Sequence, residues 1–291
     1  MVNALTIDVE DYHSIVSRDW CGEDMLPTRK VVENTTRLLD HFAQRKILGT
    51  FYILGEVAQA FPDLIRKIAA PGHELGVHGF YHRQVFKLDA ESFRKEVADA
   101  KALIEDISGR QVLGHRAPAF SIMPKTEWAL EVLAEAGFRY DSSIFPIKGR
   151  RYGWPGFRTD IHEITFPSGR KIIEAPLSTV QMLGRRWPAC GGGYIRHFPK
   201  FVSRWAMRRV ARERPAILYM HPYEIETDAG PVNTSGISAK AARRLRRMHW
   251  LQLRNRASVE DKVVSLISQF EFAPLARIIE QQLGLELSPA A

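Results

Sequence analysis

The reading of this chain turns on Glu74-Leu75-Gly76-Val77-His78-Gly79-Phe80-Tyr81-His82. His78 and His82 are four residues apart. On a helical turn that spacing puts two imidazoles on one side, where they can close on one divalent metal. Two histidines are only part of a metal shell. Leu5-Thr6-Ile7-Asp8-Val9-Glu10-Asp11 supplies the missing component, an apolar run that reads as a buried strand ending in carboxylates. Two neutral imidazoles, a carboxylate and a water make an open, catalytic type of site rather than a closed structural one.

The segments around these two stretches alternate. Val31, Val32, Thr35, Leu38, Leu39 and Phe42 recur at helical spacing, so an amphipathic helix is expected over residues 29–45. A strand follows at 49–55, a helix through Leu64, Ile65 and Ile68, and a third strand at 73–77 that delivers His78. Asp89 can cap a helix that Gly109 closes. Further strands are expected at 112–116, from 138 and at 216–220, with helices at 124–137 and 200–212. Residues 12–27 read as an irregular aromatic loop.

Strand–helix alternation of this kind implies a parallel sheet with crossover helices, in an open sheet or a barrel. In a barrel, chemistry collects at the C-terminal ends of the strands. Asp8, His78, Arg116 and Asp141 all fall at or near such ends.

The chain has 291 residues, 45% of them hydrophobic, enough for one large core. No apolar run is long enough to span a bilayer. Met1 leads straight into the first strand without a basic region, apolar core and cleavage site, so a cytoplasmic location is expected. Cys21 and Cys190 are too few for a disulfide framework and read as reduced thiols.

The net charge of +8 favours polyanionic neighbours. Part of the excess sits in Lys240, Arg243, Arg244, Arg246, Arg247, Arg254 and Arg256, a basic segment that could lie on anionic lipid or polysaccharide. No recognised motif accompanies that charge, which excludes nucleic acid from the expected partners. The aromatic and glycine-rich stretches at 150–157 and 190–194 suit sugar rings, although turn chemistry explains the glycines equally well.

Five separated blocks then fall in a known order. They are Thr6–Asp11, His78–His82, Arg116-Ala117-Pro118-Ala119-Phe120, Asp141-Ser142-Ser143-Ile144-Phe145-Pro146 and Leu218-Tyr219-Met220-His221-Pro222. With them the chain resembles the polysaccharide deacetylase superfamily, carbohydrate esterase family four with the NodB-like domain. Asp8 to Tyr12, Tyr140-Asp141-Ser142-Ser143, Gly191-Gly192-Gly193-Tyr194 and His221-Pro222-Tyr223-Glu224 resemble its subgroup associated with exosortase (PEP-CTERM) loci.

The resemblance implies a distorted (β/α) barrel over about 1–235, with a helical C-terminal extension over about 236–291 packed on it as part of one domain. It also implies removal of N-acetyl groups from an amino-sugar polymer, or from a lipid-linked oligosaccharide, in exopolysaccharide biosynthesis. The metal would be zinc, with cobalt or nickel as alternatives, held by His78, His82 and either Glu10 or Asp11. Asp8 would be the base and His221 the acid, Arg116 would orient Asp8, and Asp141 would orient His221. Phe145 falls where the family commonly has tryptophan and would wall the site. Two other readings stand beside this one: a hydrolase of non-sugar C–N bonds on the same fold, and a catalytically silent carbohydrate-binding subunit of an export machine.

Overall fold

The computed structural model describes residues 1–22, 24–149, 152–230 and 238–287. Its first element, β1 (Asn3–Val9), is buried at all seven positions, as befits a strand paired on both edges and covered on both faces. After it come α1 (Tyr12–Val16), α2 (Arg29–Ala43), β2 (Thr50–Ile53), α3 (Gly55–Ala60), α4 (Pro62–Ala69) and β3 (Glu74–Val77). The middle of the chain holds α5 (Ala90–Ser108), β4 (Gly114–His115), α6 (Trp128–Glu135), β5 (Tyr140–Asp141), β6 (His162–Thr165) and β7 (Lys171–Glu174). Then follow β8 (Thr179–Met182), β9 (Arg185–Pro188), α7 (Gly193–His197), α8 (Lys200–Ala211) and β10 (Ile217–Met220). The last elements are α9 (Ala239–Leu253), α10 (Val259–Ile267), β11 (Phe272–Ala273) and α11 (Leu275–Leu283).

The main sheet runs β10-β1-β2-β3-β4-β5-β7-β6, parallel throughout except for the antiparallel β6–β7 pair. With helices outside and a curled sheet inside, the fold is a distorted NodB-like α/β barrel, left open between β6 and β10, which do not pair among the described residues. Beside that gap stands the separate hairpin β8–β9. The glycines at 191–192 lie against β10, bridging to Tyr219; a Cβ on Gly191 would sit 2.2 Å from the Tyr219 ring. Only a residue without a side chain lets the backbone approach that closely.

Local signals hold at the helix ends. The Asp89 carboxylate accepts from Ser92 N at 2.7 Å, and Gly109 ends α5 with φ 65°, the left-handed conformation that favours glycine.

Two regions depart from expectation. Residues 12–21 are helical rather than irregular, because Asp11 caps α1 by accepting from Ser14 N. The C-terminal region is also more than a helical cover. Its short strand β11 pairs with the start of β1 at Asn3 and Ala4, on the edge that β2 takes from Thr6 onward. Asn3 N–H donates to the Glu271 carbonyl, and Leu275 N–H donates to Thr50 Oγ1. The boundary expected near residue 235 lies outside the described residues, as do Arg150 and Arg151 of the aromatic loop.

Candidate functional site

Asp8 and Glu10 come from the end of β1, His78 follows β3, Arg116 follows β4 and His221 follows β10. Parallel pairing aligns these four strand ends, so Asp8, Glu10, His78 and His221 meet on one cleft floor, with Arg116 buried beside Asp8. The cleft is lined by Asp8, Glu10, His78, His82 and His221, with Tyr12, Phe120, Tyr152, Tyr194 and Tyr223 as its aromatic walls.

The histidines and Glu10 form the tightest group. His78 Nδ1 lies 2.8 Å from the Arg116 carbonyl oxygen, which can only accept. Nδ1 therefore carries the hydrogen, and in the neutral ring Nε2 presents a lone pair. That nitrogen faces Glu10 Oε1 at 2.7 Å, and His82 Nε2 lies 3.2 Å from the same oxygen. Electron-rich atoms gathered this closely in a buried place need protons or a cation between them. Glu10, His78 and His82 each offer one ligand atom, all within 4.8 Å of one another. Two imidazoles and a carboxylate are the donor set of an open zinc-type site, so these residues fit a divalent metal.

The histidine pair does not sit on a helix. Residues 78–84 form a loop in which Gly79 (φ 77°) and His82 (φ 56°) both take left-handed backbone. A non-glycine residue held there signals a local cost tolerated by the surroundings, and such residues concentrate at functional sites.

Arg116 is wholly buried, and each end of its guanidinium is satisfied. It donates to Asp8 Oδ1 at 2.8 Å, to Thr6 Oγ1 at 2.8 Å, to the Ser142 carbonyl at 2.9 Å and to Ser142 Oγ at 3.0 Å. The Tyr52 ring lies 4.3 Å below it. Asp8 is thereby fixed with its other oxygen, Oδ2, turned toward His221 Nε2 at 3.8 Å. His221 stacks on Tyr223, and its side chain keeps 14% exposure to the cleft. Burial opposes its charge, but Glu10, Glu224 and Asp8 outweigh that and raise its pKa to about 9. For Glu10, burial pushes the carboxyl up, while His82, His221 and the contact with His78 hold it well below the usual range.

Three expected positions fall elsewhere. Asp11 is not with the histidines: its oxygens accept from Ser14 N–H, Thr28 N–H and Thr28 Oγ1, which ties α1 to the start of α2. Glu10 is the carboxylate that joins them. Asp141 does not orient His221. It accepts from His115 Nδ1 at 2.7 Å and from Ser143 N–H and Oγ, and it neighbours Glu174, in a network sealed from the cleft. The carboxylate beside His221 is Glu224, with Oε2 3.5 Å from Nδ1 and accepting from the His221 backbone N–H. Phe145 lies one layer behind the wall, stacked on Tyr152 and edge-on to Phe120 and Tyr219.

Signals for two of these were present in the sequence. In extended chain, residues two apart share a face, which groups Glu10 with Asp8 and sends Asp11 away. His221 and Glu224 are three residues apart with Pro222 between them, the span of a single helical turn.

The C-terminal region also reaches the site. The Arg256 guanidinium lies 4.3 Å from the Tyr12 ring and 5.2 Å from that of Tyr223. His249 Nε2 donates to the Gly230 carbonyl, which leaves Nδ1 to accept from the Tyr12 hydroxyl at 2.8 Å. The cleft wall is thus braced from α9 and the turn after it.

Comparison with known proteins agrees with this architecture. Residues 23–140 match the family model described as polysaccharide deacetylase, and residues 142–280 match one described as a domain of unknown function (DUF3473). A peptidoglycan-N-acetylglucosamine deacetylase of Bacillus cereus is 29% identical over 101 residues, covering 34% of this chain and 37% of the relative. Among solved structures, a putative polysaccharide deacetylase from Mycobacterium smegmatis superposes with a TM-score of 0.62 at 20% identity, covering 99% of this chain and 92% of the other. A structure titled Puue allantoinase gives 0.61 at 16% identity, covering 98% and 91%. These two likenesses speak to the fold. The match to the polysaccharide deacetylase model thus covers residues 23–140, and the chain spans just over a third of the length of the curated relative it matches.

Proposed function

We propose that this protein is a metal-dependent hydrolase that removes N-acetyl groups from an amino-sugar polysaccharide or its lipid-linked precursor. The observation that carries the reading is the juxtaposition of the Glu10–His78–His82 group with Asp8 and His221 on one cleft floor. A divalent metal held by Glu10, His78 and His82 would supply Lewis-acid polarisation of a carbonyl oxygen and a lower pKa for water. Zinc suits these donors, with cobalt or nickel as alternatives.

The chain's own residues then divide the proton work. Asp8, held by Arg116 through Oδ1, turns Oδ2 to the cleft and takes a proton from the attacking water. His221, with Glu224 and Asp8 beside it, gives a proton to the nitrogen as the amide C–N bond breaks. A new C–O bond forms, and the products are acetate and the free amine. Glu224 orients the His221 ring from behind.

A polymer has room to bind. Tyr152 and Tyr194 line the cleft and also a neighbouring groove of about 1030 Å³. That groove continues past Lys148, Arg185 and Trp187, where an aromatic face and long donors suit sugar rings and hydroxyls. The resemblance to exosortase-locus relatives supports a role in exopolysaccharide biosynthesis at the cytoplasmic face of the membrane.

Acetate release from N-acetylglucosamine oligomers of increasing length tests this, with a cyclic ureide as counter-substrate. Release that rises with oligomer length and collapses in His221→Ala supports the reading. Ureide turnover without acetate release would overturn it.

A further inference from the structure

We infer that α8 is a membrane-docking helix that lies against anionic phospholipid. Its sequence, Lys200-Phe201-Val202-Ser203-Arg204-Trp205-Ala206-Met207-Arg208-Arg209-Val210-Ala211, is divided between two faces. Ser203, Ala206, Met207 and Val210 pack inward. Phe201 and Trp205, one turn apart, point outward and are 70% and 48% exposed. They share a shallow depression of about 300 Å³ with Arg204, Arg208, Arg209 and Arg212.

Large aromatics this exposed are costly in water, and here they are interleaved with arginines rather than scattered. Arg209 pairs with Glu213, whereas Arg204, Arg208 and Arg212 meet no carboxylate among the described residues. Aromatic rings for the acyl boundary, ringed by unpaired cations for headgroups, are the composition of an interfacial helix. A charge of +8 on the whole chain favours the same anionic surface.

A second feature points the same way. The tip of the β8–β9 hairpin is Leu183-Gly184, with φ 51° and 72°, a two-residue turn whose first position ordinarily takes Asn or Asp. Leu183 is strained there and is 90% exposed, so neither the turn nor the core accounts for it. The hairpin springs from beside α8: Arg214 donates to the Thr179 carbonyl, and Arg186, Arg209 and Arg214 line one small cavity between them.

The location would serve the proposed chemistry, although the inference does not rest on it. Gly193, Tyr194 and His197 of α7 line the cleft, and α8 begins three residues after α7 ends. A bilayer under α8 would thus lie next to the cleft lip, where a lipid-anchored sugar chain would enter. The basic segment in α9 has more charge, but it lacks an aromatic pair on successive turns.

The test is co-sedimentation of the full chain with vesicles, with no turnover required, so failure of the deacetylation reading leaves it intact. Wild type should bind phosphatidylcholine vesicles containing about 30% phosphatidylglycerol and bind pure phosphatidylcholine only weakly. Arg204→Gln/Arg208→Gln/Arg212→Gln should weaken binding to anionic vesicles about a hundredfold, at roughly fivefold per arginine. Phe201→Ser/Trp205→Ser should lose the salt-resistant part of the binding. Circular dichroism confirms that these surface variants are folded. For comparison, Arg243→Gln/Arg247→Gln in α9 should change partitioning less than the α8 set. Equal binding to neutral and anionic vesicles, a larger effect from the α9 pair, or loss to a soluble anionic polysaccharide without any vesicle preference would each overturn the inference.

Discussion

Two buried carboxylate–histidine clusters stand side by side at the strand ends, and they have opposite characters. Asp8, Glu10, Arg116 and His221 form one, and Asp141, His115, Ser143 and Glu174 form the other. Adjacent residues on β4 and its extension feed them: His115 faces the helices, against Phe93 and Phe138, and Arg116 faces the bore, over Tyr52. Alternation along a strand is what separates the two. The Asp141 cluster is closed: Asp141 accepts from His115 and Ser143 away from the cleft, while His115 Nε2 and Glu174 Oε2 stay buried without a hydrogen-bond partner among the described residues. The Asp8 cluster is open: His221 and Asp8 face each other across 3.8 Å, and Glu10 gathers imidazoles that need protons or a cation between them. A charged residue at a strand end is therefore not enough to mark a catalytic role; the face it takes must open to substrate.

The comparison breaks if the two aspartates behave alike. Asp8→Asn should lower turnover roughly 10²–10⁴-fold. It should also destabilise the fold by about 3–5 kcal/mol, because Arg116 loses its counter-charge, so turnover must be measured below the unfolding midpoint. Asp141→Asn should cost about 1–3 kcal/mol of stability while leaving kcat of the folded enzyme within a small factor. Steady-state kinetics with denaturant melts on both variants decide this. Abolished turnover in a folded Asp141→Asn would end the division into an open and a sealed cluster.

The next contrast is between adjacent carboxylates. Glu10→Gln should weaken metal binding by at least about 10–100-fold, read by competition with a chromophoric chelator. Asp11→Asn should keep the metal and lose about 1 kcal/mol of stability, since its carboxylate caps α1. A smaller effect is expected at Glu224→Gln, about tenfold in kcat with KM little changed, because it removes an orienting partner of His221 rather than His221 itself.

The smallest effect concerns pH. Burial, then repulsion from Asp141, raises the Glu174 carboxyl well above its ordinary value, so the folded protein holds a proton there. A raised folded pKa gives stability that is complete below the unfolded value near 4.5 and lost as pH rises through the folded value. Glu174→Gln keeps a neutral side chain at every pH. It should therefore flatten the stability profile above pH ~5 and make the variant relatively more stable as pH increases. Urea melts across that range would show it; a parallel profile for variant and wild type would contradict the assignment of the proton.

Much of the site was legible before the structure. Asp8, His78 and His221 each stand at or just past the end of a run that reads as a strand, and parallel pairing brings such ends together; Arg116, after the two-residue β4, is placed by the Arg116–Phe120 block. Asp141 was misplaced because its role came from the resemblance, whereas its register on β5 sets it opposite His115, on the face away from Arg116. Asp11 was left open against Glu10 because the run of carboxylates crosses from strand to helix cap, where periodicity changes. The helical turn expected for His78 and His82 was wrong in form: Gly79 and a left-handed His82 bring the rings together on a loop. No strand is expected from sequence between 148 and 199, because β6 to β9 are short and several positions along them are exposed. The pairing of β11 with β1 joins residues some 270 apart, which no local pattern announces.

The decisive measurement is acetate release from N-acetylglucosamine oligomers by protein stripped with chelator and titrated with zinc. The account expects no release from the stripped protein, recovery that saturates near one equivalent, and no recovery in His78→Ala at any zinc level. Full turnover in the stripped protein, or equal recovery in His78→Ala, would contradict it.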